Sequence, residues 1–181
     1  LDGRGAKAVA TVVYGNRDYD DALLELTELL ESVGFSVIAG GAFVGEHSFT
    51  KSVAAGRPDE HDLTIAATFA LQIFEKIEKQ ETNIPLIPGK HPYKAPMAEL
   101  GLLPKTSDAC IVCKKCARNC PMGIIDMKDP RNITEGCLGC CACVKGCPQN
   151  AKYFDSETFL QFRTLLETNC STRKEPRLFL F

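Results

Sequence analysis

Apolar and polar positions fall into blocks of two different periods in the N-terminal part of the chain. Lys7 to Tyr14 is an apolar, β-branched run that stops at Gly15-Asn16, the pattern of a buried strand in a parallel sheet. Asp20 and Asp21 follow as an N-cap and acidic first turn. Leu23, Leu26, Leu29, Leu30 and Val33 then recur at helical spacing, and Gly34 is placed to close that helix. Phe35 to Phe43 predicts a second buried strand, softened by Gly40-Gly41. A loop with Gly45, Gly56 and Pro58 leads to a second helix whose apolar face is Leu63, Ala66, Ala67, Ala70, Ile73, Phe74 and Ile77. This βαβα order means parallel strands joined by crossover helices. Two such strands leave a sheet edge and part of each face uncovered. Residues 1–82 are therefore expected to complete their sheet with another copy or with a missing fragment.

The pattern then changes. Residues 83–105 hold Pro85, Pro88, Pro92, Pro96 and Pro104, which forbid a regular helix and favour a stiff, extended linker. Its apolar residues (Ile84, Leu86, Ile87, Tyr93, Met97, Leu100, Leu102 and Leu103) predict that it lies against a domain. Residues 106–154 contain most of the cysteines. Residues 155–181 offer one helix through Phe159, Phe162, Leu165 and Leu166, then polar residues ending in Leu178-Phe179-Leu180-Phe181, a terminus expected to pack on something.

Composition changes the picture mainly through cysteine. There are ten in 181 residues, and no apolar stretch approaches a membrane span. The start, Leu1-Asp-Gly-Arg, lacks both Met and the apolar core of an export signal, which suggests a fragment or a processed product and a cytoplasmic setting. Thiols there stay reduced, so thiolate ligands are a better reading than a disulfide framework. Charge is uneven: residues 1–82 hold fourteen acids and seven bases, whereas in residues 106–154 the bases outnumber the acids. Those bases (Lys114, Lys115, Arg118, Lys128, Arg131, Lys145 and Lys152) are scattered among cysteines and form no stripe suited to nucleic acid.

The cysteines form an internal repeat. Cys110-x2-Cys113-x2-Cys116-x3-Cys120-Pro121 recurs with identical spacing as Cys137-x2-Cys140-x2-Cys143-x3-Cys147-Pro148. Three thiolates at two-residue gaps can wrap one face of an iron–sulfur cube, while the proline carries the fourth away. In two-cluster ferredoxins that fourth cysteine ligates the other cluster. On that rule one [4Fe–4S] cluster takes Cys110, Cys113, Cys116 and Cys147, and the other takes Cys137, Cys140, Cys143 and Cys120. Structural zinc remains an alternative, although it usually uses two CxxC pairs across a longer gap. The CxxxCxxC spacing of cluster-based radical chemistry is absent. Cys141 reads as a small residue filling its loop, and Cys170 as a bystander.

On these residues the 106–154 segment resembles bacterial two-cluster ferredoxins. A wider likeness rests on Val12-Val-Tyr-Gly-Asn-Arg with Asp20-Asp-Ala-Leu-Leu-Glu-Leu, on Ala42-Phe-Val-Gly-Glu-His-Ser-Phe and Gly56-Arg-Pro-Asp, and on Pro88-Gly-Lys-His-Pro-Tyr-Lys. Together these resemble the ferredoxin-fused, flavodoxin-like proteins of anaerobic bacteria. The resemblance implies an α+β ferredoxin-like module with pseudo-two-fold symmetry, short β hairpins and helices. Before it would stand a βαβα part of a flavodoxin-like α/β parallel sheet. It also implies that Gly15 and Asn16 lie in a loop beside a flavin ring, at the carboxyl ends of the strands. The family's first strand and phosphate loop are missing, so FMN is expected only if that N-terminal half is supplied; a simple turn is an equal reading of Gly15-Asn16.

The function expected is electron transfer through two clusters to and from an unidentified redox partner protein, with no nucleic acid and no membrane. That makes the chain a carrier, or part of a flavin-linked oxidoreductase when complete, rather than an enzyme converting a substrate by itself. The alternative is a partner-binding module in which the clusters only staple the fold. His47, His61 and His91 show neither ligand spacing nor a nucleophile partner, and read as structural or solvated.

Overall fold

A computed structural model of the chain describes residues 2–81, 83, 85–95 and 101–180. Among the described residues it is a mixed α/β protein with five helices and two small sheets. It divides into two compact units, one of Leu1–His47, Ser52–Pro96 and Cys170–Phe181, the other of Ser48–Lys51 and Met97–Asn169.

In the first unit β1 (Lys7–Tyr14) and β2 (Ser36–Val44) pair in parallel from Lys7↔Ser36 to Tyr14↔Val44, with an irregularity between Ala8 and Val9. The crossover is α1 (Ala22–Ser32), and Gly34 closes it in the left-handed region at φ 87. Ala10, Tyr19, Leu23, Val37, Ala42 and Ile87 form the buried core. The β-branched pattern of β1 predicts a strand covered on both faces, but among the described residues it pairs with β2 alone and is an edge strand, and Val13 is 74% exposed. The side chains of Asp20 and Asp21 do not cap α1. Asp21 instead accepts from the backbone N–H of Lys90 (2.9 Å) and Lys94 (2.8 Å), fixing the proline-rich segment.

The second long helix, α2 (Glu60–Glu78), opens with a reciprocal capping box between Asp59 and Asp62. Its inward face differs from the expected one. Asp62, Phe69 and Lys76 are buried, while Leu63, Phe74 and Ile77 are exposed. Polar contacts decide this rotation. Asp62 pairs with the buried Arg57, and the Lys76 ammonium donates to the carbonyls of Ile38 (2.8 Å), Asn83 (2.9 Å) and Leu180. Burying such groups without partners costs several kcal/mol each, about the value of an apolar row.

The chain's end supplies β5 (Arg177–Phe179), antiparallel to β2 with Gly40↔Phe179 and Ala42↔Arg177. The apolar terminus thus packs on the far edge of β2; Phe181 lies outside the described residues. A Cβ at Gly40 would stand 2.6 Å from Ile87 Cδ1, so a larger residue there would displace the end of that side chain. Residues 83–105, expected to be one linker, divide between the units. Ile87 belongs to the first core and Leu102 to a core of the second. Ile84, Pro96, Met97 and Leu100 lie outside the described residues.

The second unit repeats its backbone with its sequence. Here α3 (Lys115–Arg118) is matched at the same place in the second run by α4 (Ala142–Lys145), each entered through a left-handed residue, Lys114 at φ 63 and Cys141 at φ 58. Left-handed Val112 and Gly123 likewise match Gly139 and Asn150. The two-residue strands β3 (Lys105–Thr106) and β4 (Lys152–Tyr153) pair Thr106 with Lys152, and the bridge Ile125↔Ile133 repeats that pairing. A closing helix, α5 (Glu157–Asn169), buries Phe159 and Leu166; Phe159 packs with Leu102, Cys141 and Phe154.

Candidate metal centre

Tight loops position the cysteines. Each third cysteine lies in a one-turn helix, and the turn Cys120–Gly123 or Cys147–Asn150 that follows reverses the chain, each turn closed by a 3.1 Å backbone hydrogen bond. The reversal returns the fourth cysteine of each run toward the other run. One hollow, of about 340 Å³ counting the solvent at its mouth, is lined by Cys137, Cys140, Cys143 and Cys120. A second, of about 320 Å³ on the same measure, is lined by Cys110, Cys113, Cys116 and Cys147. The structure thus gathers the eight cysteines into the two crossed sets.

Burial repeats across the sets. Cys116 and Cys143 are buried, Cys113 and Cys140 exposed, and the other four intermediate; all ten cysteines are free. Cys116 and Cys143, one from each set, share a buried cluster with Ala117 and Ile125, so the hollows meet at a dry wall. Among the described residues no three His, Cys, Asp or Glu side chains converge on a point that would hold a single metal ion.

The thiols differ in acidity for local reasons. Burial pushes Cys143 up to about 11, against the opposing charge of Lys152. Burial also raises Cys116, again opposed by Lys152. At Cys147 burial acts upward too, but the backbone N–H groups of Ala151, Gln149 and Lys152 outweigh it and the thiol falls below its ordinary value. The N–H of Ala151 lies 3.2 Å from Cys147 Sγ, and that of Gly139 lies 3.3 Å from Cys137 Sγ. Such donors favour thiolate and any negative charge spread onto sulfur.

Cys141 is buried, with its thiol pushed up to about 12 by burial; it packs in the core with Phe154 and Phe159. The Cys170 carbonyl accepts from Asn16 Nδ2 at 2.8 Å.

Gly15 and Asn16 belong to the first unit. A Cβ on Gly15 would stand 2.7 Å from the His47 ring, so only glycine fits there. Asn16 is 1% exposed and sits at φ 64. Its amide donates to the carbonyls of Cys170 and Thr172, both at 2.8 Å, and its oxygen accepts from Lys174 N at 3.0 Å. The side chain therefore clamps the chain's tail. His61 and His91 stand beside Glu175 (3.4 Å) and Glu28 (2.9 Å) at the surface.

One residue was legible in the repeat and carries more than its place among scattered bases implied. Lys152, 2% exposed, lines the hollow of Cys110, Cys113, Cys116 and Cys147. Its ammonium donates to Thr106 Oγ1 at 2.7 Å and to the Pro130 carbonyl at 2.5 Å. The corresponding position of the first run is Ile125, so a cation stands at an apolar register position.

Comparison of the chain with protein families, curated proteins and solved structures finds no match. No helix among the described residues is long and apolar enough to cross a membrane.

Proposed function

We propose that this chain binds two [4Fe–4S] clusters and transfers electrons through them. Cys110, Cys113, Cys116 and Cys147 would hold one, and Cys137, Cys140, Cys143 and Cys120 the other. The observation that carries this reading is the grouping of eight cysteines from two runs into two hollows of four, each taking its fourth member from the opposite run.

The donor set fits the group. Each hollow offers four sulfurs, backbone N–H groups aimed at Cys137 and Cys147, and a largely apolar wall. Thiolates spread around hollows suit a cube of several irons better than the single tetrahedral ion of a zinc site. When bound, such clusters supply reversible one-electron chemistry. The chain's own residues do the rest. The thiolates fix position, Ile124, Ile125, Leu138 and Phe154 limit water, and the buried Cys116–Cys143 wall gives electrons a short dry route. Exposed Lys115 and Arg118 on α3 give a basic rim for an acidic redox partner.

By its resemblance, the chain is the ferredoxin part of a flavodoxin-like oxidoreductase of the cytoplasm. Flavin is assigned to a chain that also supplies the phosphate-binding part, since the Asn16 amide is fully engaged by the tail.

Anaerobically purified protein tests the reading. It should contain iron and acid-labile sulfide in equal amounts, absorb broadly in the blue and bleach with dithionite, with paramagnetic resonance from reduced, interacting clusters. Zinc in place of iron, or no acid-labile sulfide, overturns it.

A further inference from the structure

The internal repeat makes the two hollows comparable position by position, and the differences all run one way. Ile125, Met122 and Cys141 line the hollow of Cys137, Cys140, Cys143 and Cys120. At the matching positions the other hollow has Lys152, Gln149 and Lys114. At these three positions one site has apolar groups and a thiol where its counterpart has two lysines and an amide.

Lys152 is the sharpest of these differences. It is almost wholly buried, and its acceptors, a hydroxyl and a carbonyl, are neutral. Among the described residues no carboxylate pairs with it. A buried cation without a counter-charge is costly, so an anion beside it is what the fold requires; Lys152 lines the hollow of Cys110, Cys113, Cys116 and Cys147, and its charge also reaches Cys143 of the other set.

We propose that Lys152 makes the site of Cys110, Cys113, Cys116 and Cys147 the electron sink of the pair, by placing a buried cation where the other site has Ile125. This rests on the cluster reading above. Reduction adds one electron to a site already negative, with no bond made or broken; the donor in the cell is a low-potential redox protein, and in the test it is dithionite. A fixed positive charge in a dry wall stabilises the added charge more than an exposed one would. Lys152 is a tuning residue and touches no substrate. Its effect on the second site is smaller, because there it reaches Cys143 from outside the hollow.

The test is a potentiometric titration of the full, cluster-loaded chain, followed by paramagnetic resonance. The native protein should reduce in two resolved steps. In Lys152→Met the higher step should fall by at least about tenfold in the reduced-to-oxidised ratio at fixed potential, which is about 59 mV for one electron. The lower step should move less. Lys152→Arg, which keeps the charge, should keep two steps, and Ile125→Lys should raise the lower one. Coincident steps in the native protein, or a Lys152→Met variant whose steps stay put or move together, overturn the assignment. If Lys152→Met fails to retain iron and sulfide, the native titration and Lys152→Arg still decide it: a single step in either overturns it. Loss of sulfide from the native protein defeats the cluster reading itself. Full sulfide with unresponsive potentials defeats only the role of Lys152.

Discussion

In the first unit Ala10, Leu23, Val37 and Ala42 pack with Ile87 between a parallel strand pair and α1, and a buried Arg57–Asp62 pair anchors the start of α2. In the second unit sulfur takes the place of much of that apolar bulk. Cys116, Cys141 and Cys143 are among its buried residues, its strands are two residues long, and α3 and α4 have four residues each. Elements that short have little stability in water by themselves. The first unit is held by ordinary burial and hydrogen bonding; on the proposed reading, the second relies on clusters held by its thiols. Small metal domains commonly fold only with their metal.

The largest effect should come from removing iron. Anaerobic chelation of the loaded protein should abolish amide protection across residues 106–154 while β1 and β2 stay protected in hydrogen exchange. Equal loss in both regions, or none in the second, would break the contrast.

A smaller effect, confined to the first unit, should follow Arg57→Ala. It leaves the buried Asp62 carboxylate, among the described residues, with only the Asp59 N–H (2.9 Å) and Arg173 at 3.6 Å, and should cost up to about 3 kcal/mol in denaturant unfolding. The pH dependence sharpens this. The hydrogen bond from Arg57 holds the Asp62 carboxyl below its ordinary value. The stability it contributes is thus complete above about pH 3.9 and is lost as pH falls through the lower folded value. Without Arg57, burial should raise that carboxyl, so the sign reverses and the variant should gain stability on mild acidification. An unchanged acid limb would show that the pair does not anchor α2.

The smallest effect should be that of Asn16→Ala, about 1–3 kcal/mol, since it removes the three hydrogen bonds of a buried side chain to the Cys170 and Thr172 carbonyls and the Lys174 N–H. Faster exchange and proteolysis between residues 170 and 174 should accompany it. A tail that stays protected would mean that β5 alone holds it.

Much of this was readable along the chain. The strand and helix periods located β1, α1 and β2 to within a residue or so of their ends and showed that a helix, α2, follows Pro58, because local sterics and apolar spacing act over a few residues. The cysteine repeat showed two equivalent runs, and the crossed grouping of their thiols followed from the likeness to two-cluster ferredoxins. Which face of α2 turns inward was not readable, because its apolar row lost to Asp62 and Lys76, whose partners Arg57, Ile38 and Leu180 come from elsewhere in the chain. Nor was it apparent that the tail would become β5, that Asn16 would clamp it, or that Asp21 would hold residues 90–94. The sequence by itself determined the local elements and the two equivalent cysteine runs. Only the tertiary structure decided which polar groups are buried together, because a hydrogen bond or ion pair gains its value from desolvation, and desolvation depends on residues far apart in the chain.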